Sequence, residues 1–106
     1  MISPPATNQG EQMTTVNGSM ATDRPERYAK QLVSHWSERG PVSTEEGATV
    51  QRWNTGQVLV LRPAAGALEV EVTVPDGDDS ARFAQVVKEH LERFGQREEL
   101  NVVWHL

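Results

Sequence analysis

Three histidines carry most of the chemistry that this sequence could perform: His35, His90 and His105. His35 precedes Trp36 in SHWSERG, and His90 opens HLERFGQRE, a segment that also holds Arg93 and Arg97. Two imidazoles aimed at one space could share a metal ion or a ligand, and one imidazole in a groove could act as a general acid or base. The competing reading is structural, a buried ring whose N–H satisfies a carbonyl, and that is the commoner fate of a buried polar group. Arg93 and Arg97 could clamp a carboxylate or phosphate. They could equally pair at the surface with Glu92, Glu98 or Glu99. Trp36 and Trp104 are expected to meet in the core, and either ring, if partly exposed beside His35 or His90, would become a stacking platform.

Other chemistries lack their residues. Ser34 and His35 are adjacent on a helix and diverge by about 100°, so they form no nucleophile–base pair. No glycine-flanked serine follows a strand. Asp76-Gly77-Asp78-Asp79-Ser80 begins like a calcium loop, but Ala81 stands where the loop needs glycine and Val87 where it needs a glutamate. The eight glycines are scattered and form no phosphate cradle. The absence of cysteine removes disulfides, thiolate metal sites and thiol nucleophiles together. His105 does not complete a three-histidine zinc set, because strand alternation turns it away from Trp104. The sequence therefore assigns no catalytic set, no metal and no cofactor.

The elements that must position these residues follow from periodicity. Tyr28, Leu32 and Trp36, widened by Ala29 and Val33, predict a helix over about 24–39, begun by an Asp23/Glu26 capping signal and stopped by Gly40-Pro41. The period then changes to two. Strands are predicted at Val42–Glu46, Ala48–Trp53, Gln57–Arg62 and Ala67–Val74, with Asn54-Thr55-Gly56 as a hairpin turn. Asp76 to Ser80 offers N-caps for a second helix carrying Phe83, Val86, Val87, Leu91 and Phe94 on one face and ending at Gly95. Lys88 with Glu92, and Glu89 with Arg93, are spaced as ion pairs on its solvated side. Leu100 to Leu106 is a last strand. On the helical wheel His90 lies within the apolar arc of its helix and His35 at the margin of its own, so both imidazoles turn toward the sheet.

With 106 residues, 37% of them hydrophobic, there is room for one core. Residues 1–22 hold one charge and no ring, and are expected to be a disordered tail before a single domain at 23–106. The order α-β-β-β-β-α-β predicts an α+β two-layer sandwich, an antiparallel sheet with both helices on one face. Counting strands from Val42, the expected sheet order is 4-3-2-1-5. A net charge of -5 argues against nucleic acid and against an anionic membrane surface. No apolar run approaches the roughly 20 residues of a spanning helix, and the default location is the cytoplasm.

RYAKQLVSHWSERG (27–40), VVKEHLERFGQREEL (86–100) and the terminal Val-Trp strand resemble bacterial domain-of-unknown-function family 2218. His35-Trp36 and His90-Leu91-Glu92-Arg93-Phe94 match the family's paired signatures, whereas Gly95-Gln96 departs from an aromatic-containing stretch. The resemblance implies a stand-alone domain without an assigned reaction, associated in some bacteria with siderophore-interacting, ferric-reductase-type proteins. The leading expectation is a non-enzymatic domain that binds a small molecule or a protein partner, with His35, Trp36, His90, Arg93, Arg97 and Trp104 as candidate ligand contacts. The alternatives are a small enzyme using His90 as acid or base, and an interaction module that dimerises through an edge strand, so that the chain is a monomer or a homodimer.

Overall fold

The computed structural model describes residues 13–75 and 79–105. Its elements are β1 (Met13–Ala21), α1 (Pro25–His35), β2 (Val42–Glu45), β3 (Ala48–Arg52), β4 (Val58–Ala64), β5 (Ala67–Pro75), α2 (Ser80–Phe94) and β6 (Val102–His105), with 3-10 turns at Ser37–Arg39 and Gln96–Glu98. The strands form one antiparallel sheet in the order β2-β3-β4-β5-β1-β6. Both helices pack on the same face, α1 over β3, β4 and β5, and α2 over β5, β1 and β6. The α+β class and the two-layer arrangement are those expected.

Two expectations are corrected together. Residues 13–21 are not part of a disordered tail but a nine-residue strand, paired with β5 along its whole length and with β6 near its end. Its polar composition hides a two-residue period in which Val16, Gly18 and Met20 face the helices, and Met20 is fully buried against the core. The part of the expected tail at residues 1–12 lies outside the described residues. The same strand changes the sheet order. The last strand runs in the direction of β5, as expected, but it joins β1 at the far side of β5 instead of pairing with β2.

Period-two alternation places Leu59, Leu61, Leu68, Val70, Val72 and Val74 on the helix-facing side, where Tyr28, Leu32, Phe83, Val87 and Leu91 cover them. Each such side chain contributes about 1.5–3 kcal/mol by leaving water, so this shared layer is the main source of stability. No helix of the described residues is long and apolar enough to cross a membrane.

Local starts and stops differ from the sequence reading in two places. At the start of α1, Thr22 Oγ1 accepts the backbone N–H of Arg24 at 3.1 Å, and the Asp23/Glu26 capping signal makes no cap bond. At its end the α-helix stops at His35 and is followed by the 3-10 turn at Ser37–Arg39. Asp79 caps α2 by accepting the N–H of Arg82 at 3.0 Å. The other members of that capping cluster, residues 76–78, lie outside the described residues.

Candidate functional site

A groove of about 1050 Å³ opens between the end of α1, the β3–β4 hairpin and the first half of α2. Trp36, Trp53 and Phe83 supply its aromatic wall, His35 and His90 its imidazoles, and Arg39 and Arg82 its fixed positive charges. Glu38 and Asp79 also line it. Asp79 is committed to capping α2 through Oδ1.

The wall is a continuous relay of edge-to-face contacts. Phe83 meets Trp53 with ring centres 4.9 Å apart, Trp53 meets Trp36 at 5.0 Å, and both pairs are close to perpendicular. That geometry suits rings with an electron-rich face and an electron-poor edge, and it fixes each ring against its neighbour. Trp36 in turn lies 4.8 Å from His90, and His90 lies 5.0 Å from His35. Phe94 closes the far end beside His35 at 5.8 Å. Arg39 places its guanidinium carbon 5.5 Å from the centre of the Trp53 ring, a cation–π contact.

Gln51 holds this wall in place. It is fully buried on the helix-facing side of β3. Its Nε2 donates to the carbonyls of Trp36, at 2.7 Å, and Gly40, at 3.1 Å, while its Oε1 accepts the indole N–H of Trp53 at 3.1 Å. One side chain thus satisfies the loosened end of α1 and sets the Trp53 ring. Two backbone bonds reinforce the seam, Asn54 N–H to Arg39 O at 2.7 Å and Arg52 N–H to Pro41 O at 3.2 Å. The approach is so close that a Cβ on Gly40 would stand 2.0 Å from the Arg52 carbonyl oxygen, which is why glycine is required there.

His90 is fixed by its own helix. Its Nδ1 lies 2.8 Å from the Val86 carbonyl. A carbonyl only accepts, so Nδ1 carries a proton, and in the neutral ring the lone pair is on Nε2. His35 is exposed at the end of α1, and His90 is half-buried.

Of the six residues picked from the sequence, the structure brings three together at the groove: His35, Trp36 and His90. Arg93 and Arg97 are exposed and do not line it, and among the described residues neither forms an ion pair. Glu98 pairs instead with Arg24, at 3.9 Å. Trp104 faces the helices as expected but lies over Gly18 of β1, where a Cβ would come within 2.5 Å of its ring, and Trp36 has Trp53 as its indole neighbour instead. His105 is on the opposite sheet face, 3.4 Å from Ser19 Oγ. Sequence reasoning missed Arg39, Trp53 and Arg82 as groove residues. Trp53 continues the inward register of Thr49 and Gln51, which was available as a signal; the two arginines gave none.

Glu92, read from the sequence as part of a solvated face, has a structural role. Its carboxylate pairs with Lys88 and accepts the Val102 N–H at 2.9 Å, tying α2 to β6. Burial pulls its pKa up, but Lys88 and the Val102 N–H outweigh this, and the net displacement is downward.

Comparison with known proteins bears on this fold and this groove together. Residues 17–105 match the family described as uncharacterized protein conserved in bacteria, DUF2218. The chain belongs to this family. The match begins inside β1 and ends with β6, so the strand that composition conceals is part of the DUF2218 domain. Among solved structures, the NMR structure of PA4090 from Pseudomonas aeruginosa is similar at a TM-score of 0.65 and 22% identity, covering 87% of this chain and 96% of that one. At that identity the likeness shows a shared fold alone. No curated protein matches the chain.

Proposed function

We propose that this DUF2218 domain is a non-enzymatic binding module whose groove receives a small, planar, negatively charged molecule. One observation carries the reading: Arg39 and Arg82, which form no ion pair among the described residues, flank a wall of edge-on aromatic rings in a groove of about 1050 Å³. The partly exposed Trp53 ring, backed by the buried Trp36 and Phe83, offers an aromatic contact, and the guanidinium groups offer paired donors to a carboxylate or phenolate oxygen. Volumes of this order accommodate ligands of drug-like size. Catecholate iron chelators belong to that chemical class, and the reading extends to a role in iron or siderophore handling.

The test is tryptophan fluorescence during titration with 2,3-dihydroxybenzoate, its ferric complex and haem. A saturable change that weakens in Arg82→Ala supports the reading. Linear or flat curves with all three ligands overturn it.

A second reading, self-association through an edge strand, rests on Val103, which is 60% exposed on edge strand β6. Light scattering that finds only monomer across a concentration series removes it.

A further inference from the structure

The two helix histidines stand in a relation that the organic-ligand reading does not use. Their ring centres are 5.0 Å apart and their planes tilt by 47°. With metal–nitrogen bonds of about 2.1 Å and ring centres about 1.2 Å further on, two imidazoles on one ion, at angles between 90° and tetrahedral, hold their centres roughly 4.7–5.4 Å apart. The observed separation lies within that window. His90 also has the outer-shell arrangement of a metal-ligating histidine: Nδ1–H is given to a backbone carbonyl, which fixes the tautomer and leaves Nε2 for an ion. Trp36 and Phe94 pack against the imidazoles and limit how far they can swing.

We propose that His35 and His90 together bind a late first-row divalent ion, Cu²⁺ in preference to Ni²⁺ or Zn²⁺. The preference follows from imidazole donors and the general affinity order of these ions. Among the described residues no third His, Cys, Asp or Glu joins them in a cluster that could hold a metal. The protein therefore supplies two donors, and the remaining coordination positions go to water or to an external ligand. Such an ion is exchangeable and does not hold the fold together. This inference does not depend on the aromatic-anion reading, because the ion alone is the probe.

The experiment uses the full chain, free of any affinity tag, titrated with CuCl₂ in a non-coordinating buffer. Trp36 lies 4.8 Å from the His90 ring and 6.1 Å from that of His35, so a bound paramagnetic ion quenches it. Saturable quenching at one ion per chain is expected, with at least tenfold weaker binding in His35→Ala and in His90→Ala, and unchanged binding in His105→Ala. The electron paramagnetic resonance spectrum of the copper form should show two coupled nitrogens. His35 is exposed. His35→Gln therefore keeps the test decisive if the His90 variant fails to fold. Quenching that does not saturate, that persists at full strength without His35, or that depends on His105 overturns the proposal.

Discussion

Replacing Gln51 with leucine tests whether one buried amide organises the groove. Leucine keeps most of the volume and adds no charge, but removes three hydrogen bonds at once. The Trp36 carbonyl keeps a second partner, the Arg39 N–H at 2.9 Å. The Gly40 carbonyl and the Trp53 indole N–H lose the side-chain partner they share. Leaving a buried polar group unsatisfied costs about 1–3 kcal/mol, so two such groups set a range of about 2–6 kcal/mol. Trp53 is only partly buried, so its share falls at the low end, which brings the expectation to about 2–4 kcal/mol. For a domain of this size 1 kcal/mol moves Tm by about 4–8 °C, so Gln51→Leu should lower Tm by roughly 8–32 °C in a thermal melt followed by circular dichroism. Tryptophan emission should shift to the red as Trp36 and Trp53 lose their fixed packing. Gln51→Glu should be at least as damaging at neutral pH, because a carboxylate accepts from Trp53 but gives nothing to the two carbonyls and brings a charge into a site closed to water. A Gln51→Leu protein melting within about 3 °C of the parent would refute the argument that this side chain holds the end of α1.

Two further outcomes test the fold. A chain beginning at Thr22, without β1, should fail to give a cooperative melt, since β5 and β6 would face each other across an empty strand position and Met20 would leave the core; cooperative unfolding of that fragment would contradict the central placing of β1. Glu92→Gln should lower the urea midpoint at pH 7. Because the folded carboxyl is displaced downward, its contribution is present above the ordinary carboxylate range near pH 4.3 and is lost as pH falls through the folded value, so the gap between variant and parent should narrow by pH 3. A gap that is constant from pH 7 to pH 3 would exclude that linkage.

The helices and five of the six strands were legible because their apolar residues repeat at 3.6 or at two. Tyr28-Leu32-Trp36 and Leu68-Val70-Val72-Val74 are buried as their spacing predicts. β1 was not legible from composition, since Thr15, Asn17 and Ser19 fill its outward positions, Thr14 stands in the inward register, and Gly18 gives no inward side chain to count. Gly18 is nonetheless a packing residue, because the Trp104 ring lies over it. The sheet order failed for the same reason: with β1 unseen, β6 had no partner except the opposite edge. At the groove, helical phase turned both imidazoles toward the sheet, which holds for the half-buried His90, whereas His35 is exposed because the α-helix ends at it. It could not bring in Arg39 or Trp53, whose positions depend on the seam between the 3-10 turn and the β3–β4 hairpin, a contact set by Gln51 and Gly40 and not by any local period.

The central position of β1 also sets a timetable for synthesis. Among the described strands of the domain the first to be made is flanked on both sides by strands made much later, and Asn17 pairs with His105 in the sheet. Closing so long a loop is entropically slow and brings no reward until its far end exists. Until β6 emerges the nascent chain carries an open strand edge beside a partly covered apolar layer, which makes the last few residues of the domain the ones that end its exposure to aggregation.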